Sequence, residues 1–253
     1  MLLDGTVRPP REWHTRLNEE LENFEFVTFL TDAALFSEVV DGERVYLIVW
    51  VDGILVAARG AERIAKAKAH LAEKIDVRDL GEATYFLRME HTKEGHRGAS
   101  WAARFAGART VSVVLGAGEK LTQEGEPLDT ARLPHNELIG RLLYLSVCTR
   151  PDIVQAVGSL VRTTSAPTEA HWAAALGVVR YLAGTEEAGI TFGGSGEVFE
   201  LLCNDYAGDI DTKRSTTGYV LLMYVGAVSW SSPLQPTVAV STVEAEYMSA
   251  ETP

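Results

Sequence analysis

Apolar positions recur at helical spacing from the start of the chain: Trp13, Leu17, Leu21 and Phe24 fall on one face between Arg11 and Phe26. That face predicts an amphipathic helix, entered after Pro9-Pro10. Two β-rich runs follow, Ala33–Val40 and Arg44–Trp50, separated by Asp41-Gly42. A second Asp-Gly, Asp52-Gly53, separates Val45–Val51 from Ile54–Ala58. Asp-Gly between such runs is a hairpin signal, so this stretch predicts a three-stranded meander with two tight turns. Ala61–Lys74, rich in Ala, Lys and Glu, predicts a helix. Thr84–Glu90 predicts a strand.

The pattern then fades. Between Gly95 and Gly118 glycines alternate with small residues and no period survives, so this is expected to be the least ordered part of the chain. Glu119–Pro134 predicts a linker with polar turns. From His135 the helical period returns. Asn136–Val147, Asp152–Thr163 and Thr168–Ala183 predict three successive helices, the second started by Pro151 and the third capped by Thr168. From Gly189 the period changes to two. Ile190–Phe192, Phe199–Cys203, Gly218–Tyr224 and Ala227–Trp230 predict an antiparallel sheet, and Thr242–Ala250 a final helix.

Composition narrows the class. The 253 residues are 46% hydrophobic and 23% charged, which excludes a mostly disordered, collagen-like or polytopic membrane chain. The net charge of -12 argues against an independent, tight nucleic-acid binder, which usually carries a basic balance. Cys148 and Cys203 have no CxxC or Cys/His spacing around them, so no zinc site is expected and a reducing compartment is. The N-terminus lacks the h-region of a secretory signal. The longest apolar stretch, Val45–Ala58, is broken by Asp52-Gly53 and too short to span a bilayer. The expectation is an intracellular protein, in cytoplasm or nucleus, with no membrane partner.

Taken singly, the candidate residues are unremarkable. Asp52 in a hairpin turn suits the turn itself. Asp205, Asp209 and Asp211 suit a solvated loop, Glu244 and Glu246 suit a helix N-terminus, and His171-Trp172 suits a packing pair.

Their order is more informative. Leu3-Asp4-Gly5 through Pro10-Arg11-Glu12-Trp13, the hairpin YLIVWVDGILVAA (Tyr46–Ala58), and Asp79-Leu80-Gly81-Glu82 followed by Tyr85-Phe86-Leu87 come first. LTQEGEPL (Leu121–Leu128), LIGRLLYLSVCTRPDI (Leu138–Ile153), Pro167–Trp172 and Arg180–Thr185 come next. DYAGDIDTKRSTTGY (Asp205–Tyr219) and Ser229–Tyr247 close the series. In this order they closely resemble the C-terminal part of copia-type retrotransposon polyproteins, reverse transcriptase followed by ribonuclease H. The resemblance covers nearly the whole chain.

It implies an α+β fold: a partial reverse-transcriptase palm over residues 1–92 carrying the Asp52 hairpin, and a degenerate thumb-like segment and linker over 93–134. A helical connection over 135–188 and a truncated ribonuclease H-like α/β sheet over 189–253 follow. It also implies two-metal phosphoryl transfer with Mg²⁺ held by carboxylates, acting on a template-primer or an RNA/DNA hybrid. Asp52 matches the first aspartate of the family's YVDD turn, Asp205 the second aspartate of its first ribonuclease H strand, and Glu244 its helix glutamate. Asp52, Asp205 and Glu244 are therefore the candidate metal ligands, and Asp52 and Glu244 the candidate, vestigial catalytic residues.

The departures fall on the ligands. Gly53 stands where the family has its second hairpin aspartate, and Cys203 where it has the first ribonuclease H aspartate. A thiol is a soft, poor Mg²⁺ ligand. Asp205 lies two residues along the strand, on the same face but roughly 7 Å away. The match begins after the upstream palm aspartate, and later acidic ligands fall past Pro253. Arg88 replaces a family glycine. The expectation is a catalytically inactive remnant that binds no Mg²⁺ productively and nucleic acid weakly or not at all, with self-association through incomplete surfaces. The other readings are a piece of a working RNA-directed DNA polymerase and ribonuclease H completed by further segments, and a non-enzymatic module binding nucleic acid or protein.

Overall fold

The computed structural model describes residues 10–30, 32–40, 42–51, 53–86, 89–92, 95–97, 109–116, 121–193 and 197–251. Leu3, Asp41, Asp52, Arg88 and most of the glycine-rich stretch, 98–108 and 117–120, lie outside them. The chain divides into two units, 1–83 and 84–253.

In the first unit, helix α1 (Pro10–Asn23) turns Leu17 and Leu21 inward and ends as Glu25 enters the left-handed region at φ 65°. Strands β1 (Val27–Thr28), β2 (Leu35–Val40), β3 (Glu43–Trp50) and β4 (Gly53–Ala58) form one antiparallel sheet in sequential order. On β3 the alternation is plain: Val45, Leu47 and Val49 are buried while Tyr46 and Trp50 are exposed. Helix α2 (Ala61–Lys74) closes the core with Ala67 and Leu71, against Phe24, Phe26 and Phe36. Beyond it, Asp79 accepts from Lys68 Nζ at 2.8 Å and from the Gly81 amide at 2.9 Å, an Asx turn that explains the Asp-Leu-Gly order. The predicted meander is present, with one short strand added. One detail differs. The register pairs Trp50 with Gly53, so Gly53 is already strand rather than turn.

In the second unit, strands β5 (Tyr85–Phe86), β6 (Met89–Thr92) and β7 (Gly95–Arg97) make a small antiparallel sheet. Residues 95–97, expected to lack order, therefore pair as a strand. Helix α3 (His135–Cys148), a short 3-10 turn (Pro151–Ile153), α4 (Val154–Val161) and α5 (Glu169–Gly184) share a core of Leu142, Leu145, Ile153, Val157, Leu160, Ala175 and Val178. The second predicted helix thus splits, because Pro151 starts a tighter turn before α4. Strands β8 (Val198–Asp205), β9 (Thr216–Met223) and β10 (Gly226–Ser231) form an antiparallel sheet in the order β10-β9-β8, with α6 (Thr242–Ala250) packed on β8 and β9. Ile190–Phe192 is not a strand of this sheet. It lies beside the β9–β10 turn, where the Gly193 amide bonds the Tyr224 carbonyl at 2.7 Å without a ladder. Trp230 Nε1 donates to the Ser146 carbonyl at 2.6 Å and ties the sheet to α3. The whole is a mixed α+β chain. No described helix is long and apolar enough to cross a membrane.

Candidate functional site

Strand β8 carries the two positions that the resemblance singles out. Cys203 is a free, exposed thiol paired in register with Gly218. Its sulphur lies over that glycine, so a Cβ at 218 would come within 2.6 Å of it. Asp205 ends the strand, opposite Thr216. Its carboxylate accepts the Thr216 amide and leans on the bare backbone of Gly208, where a Cβ has no room. The Thr216 bond fastens the turn after β8 through one oxygen of the carboxylate.

Glu244 stands in the first turn of α6. Ser241 Oγ accepts the Glu244 amide at 3.1 Å, and Glu244 Oε2 accepts the Val240 amide at 2.7 Å. Ser241 thus caps the helix, and the Glu244 carboxylate ties down the residue before the cap; neither bond requires a metal. Among the described residues, no group of three or more His, Cys, Asp or Glu side chains is arranged to hold a metal ion. Asp52 lies outside the described residues. Gly53 supplies only backbone, at the head of β4. Of the described candidates, Cys203 offers a soft thiol where Mg²⁺ asks for hard oxygens, and Asp205 and Glu244 each already accept a backbone amide.

The acidic loop after β8 does more than face solvent. It lines a cavity of about 540 Å³ together with Gln155, Ser159 and Arg162 of α4 and the segment at Leu121–Gln123. Asp209 accepts the Thr212 amide at 2.8 Å and its hydroxyl at 2.7 Å, and pairs with Arg162 Nε at 3.5 Å. Burial works against its charge, but the Thr212 bonds and the Arg162 and Arg214 charges outweigh it and hold the carboxyl below its ordinary range. Asp211 Oδ2 accepts the Gln123 amide at 3.0 Å. The loop is thus latched to α4 and to the preceding linker. The sequence reading found its acids but missed Arg162, whose helical position carries no signal of its partner.

A second polar constellation joins two of the motifs. Arg150 clasps Asp152 with two bonds, at 2.9 and 2.7 Å, reaches the Thr185 carbonyl and hydroxyl, and lies 5.6 Å from the Tyr181 ring centroid. Tyr181 donates its hydroxyl to Asp152 at 2.8 Å. Burial raises the Asp152 carboxyl, yet Arg150 and the Tyr181 hydroxyl prevail and leave it lowered.

Comparison with known proteins decides the kinship. The chain is 32% identical, over 98% of its length, to the retrovirus-related Pol polyprotein from transposon TNT 1-94 of Nicotiana tabacum. It is a segment related to transposon Pol polyproteins. The Pol polyprotein from transposon RE1 of Arabidopsis thaliana is likewise 32% identical over 98% of the chain. The segment spans only about a fifth of these relatives, 20% and 18% of their lengths. Secreted RxLR effector protein 161 of Plasmopara viticola is 42% identical over 118 residues, which is 46% of this Pol-related chain and 83% of that protein. No family model and no solved structure matches the chain.

Proposed function

We propose that this Pol-related segment is a copia-type reverse transcriptase–ribonuclease H piece that performs neither phosphoryl transfer by itself, a remnant of a mobile element. The observation that carries the reading is Cys203. A thiol stands on β8 where the resemblance asks for an aspartate. The carboxylate two residues along that face, Asp205, sits at the strand end and gives one oxygen to the Thr216 amide. Glu244 accepts the Val240 amide just before its helix. Gly53 removes a second carboxylate from the other proposed centre. Two-metal catalysis needs a clamp of several carboxylates around both ions, and the loss of one removes a large share of it. The same reading gives weak nucleic-acid binding, consistent with a net charge of -12.

The test is direct. Purified chain is incubated with a labelled RNA/DNA hybrid and with a primer-template, in Mg²⁺ and in Mn²⁺. The expected result is no cleavage and no extension above buffer. Hybrid cleavage that disappears in Glu244→Gln would establish an active centre and overturn the proposal.

A further inference from the structure

Two histidines are enclosed in the helical part of the second unit. His171, in the first turn of α5, is 0% exposed, and His135, which opens α3, is 1% exposed. The His135 ring centroid lies 6.3 Å from that of Trp172, the neighbour of His171. The Thr168 amide donates to His171 Nδ1 at 2.9 Å, and the Thr168 hydroxyl lies 3.0 Å from the same nitrogen. A backbone amide can only donate, so Nδ1 presents its lone pair and the neutral ring carries its proton on Nε2. Neither His171 Nε2 nor either ring nitrogen of His135 has a well-formed hydrogen bond; the Thr122 backbone is the polar neighbour of His171 and the Asn136 side chain that of His135. Buried polar atoms without partners are uncommon and carry a desolvation cost.

His171 completes the capping box of α5, in the position that Glu or Gln usually takes. The linker is stitched to the same spot. The Glu169 amide bonds the Glu126 carbonyl at 3.0 Å, and the Leu128 amide bonds the Pro167 carbonyl at 2.9 Å. Pro127 bridges Thr168, and Gly125 lies so close to the Thr168 side chain that a Cβ would stand 3.4 Å from it.

We propose that His171, backed by His135, is an acid-sensitive latch that holds the linker 121–134 against the start of α5 and releases it when the His171 ring takes a second proton. The proton comes from solvent and adds to the Nδ1 lone pair. Two donors, the new Nδ1–H and the Thr168 amide, then face each other, and the capping bond is lost. The titratable groups that face His171 are His135 from α3 and Asp211 from the β8–β9 loop; the Thr122 backbone faces it from the linker. Asn136 stands beside His135. Burial, then the neighbouring His135, hold the His171 ring below its ordinary pKa, opposed by the Thr122 backbone and Asp211. Burial lowers His135 too, with Asn136 opposing. Rings kept neutral in the folded chain bind fewer protons than in the unfolded one. Their share of stability is therefore intact above the ordinary histidine value of about 6.5 and declines as pH falls below it.

The experiment is amide hydrogen exchange on the whole chain at about pH 7.5 and about pH 5, corrected for intrinsic rates. Protection of the Leu128 and Glu169 amides is expected to fall about tenfold while that of Leu160 in α4 holds. His171→Gln, whose amide oxygen can cap but does not titrate in this range, is expected to abolish the fall. The latch is refuted by no fall in the wild-type chain, by an equal fall at Leu160, or by a fall that persists in His171→Gln. If that variant does not fold, imidazole ¹⁵N shifts of the wild-type chain still decide: an Nδ1–H tautomer at neutral pH overturns the proposal.

Discussion

At the scale of single residues, the β3–β4 and β9–β10 hairpins turn through valine in a conformation that valine resists. Val51 has φ 56° in the β3–β4 loop, and Tyr224 and Val225 have φ 51° and 68° in the β9–β10 loop. A two-residue loop that follows strand twist needs positive φ, and β-branched side chains meet their own backbone there. Val225→Gly is expected to raise stability by about 1 kcal/mol, read as a higher urea midpoint with an unchanged slope. A lowered midpoint would mean that the valine side chain contributes more than its strain costs. The sequence could not show this. Asp52-Gly53 looks like an ideal turn pair, yet the pairing of Trp50 with Gly53 moves the loop back by one residue. Asp205 and Glu244 could be placed on a strand end and a helix start from sequence, but not their backbone partners. Those bonds depend on how a turn closes, which periodicity does not report.

At the scale of elements, short motifs proved to be structural joints. The Thr-Arg-Pro-Asp and Arg-Tyr-Leu segments, far apart in sequence, meet where Arg150 spans Asp152 and Thr185 beneath Tyr181. The Arg150 side chain is 7% exposed, so its loss leaves the Asp152 carboxylate half-enclosed without a counter-charge. Arg150→Met is expected to destabilise the second unit by roughly 3 kcal/mol, whereas Arg150→Lys recovers only part of this because an ammonium lacks the planar fork. Thermal melts of the two variants distinguish a bidentate clasp from a simple charge, and equal melts would argue against it. Helices were the most legible elements, with α2 and α6 falling on their expected bounds, since apolar spacing and capping residues act locally. Ile190–Phe192 has strand-like composition but ends beside a turn, because ladder formation needs a neighbour that local pattern cannot supply. His171 read as a packing residue. Only the Thr168-x-x-His171 spacing hinted at its cap, with histidine in an unusual role.

At the scale of the whole chain, β8 is the edge of its sheet among the described residues, and its Val198, Phe199, Leu201 and Leu202 are each between 43% and 59% exposed. A long edge with apolar side chains is a template for further pairing. The chain is therefore expected to associate with rising concentration, seen as a growing sedimentation coefficient, and the double variant Phe199→Lys, Leu201→Lys to suppress it. Association undiminished in that variant would place the contact elsewhere. The α+β class and the order of segments were legible because each rests on local signals read in series. The cavity beside α4 was not, since Arg162, Gln123 and the loop acids become neighbours only through folding.

The sulphur seated over Gly218 has an evolutionary corollary. While the Cys203 sulphur keeps this position, a side chain at 218 must displace it, so changes at the two sites are coupled. A carboxylate introduced at 203 would still find that bare stretch of backbone, whereas a side chain acquired first at 218 would crowd it.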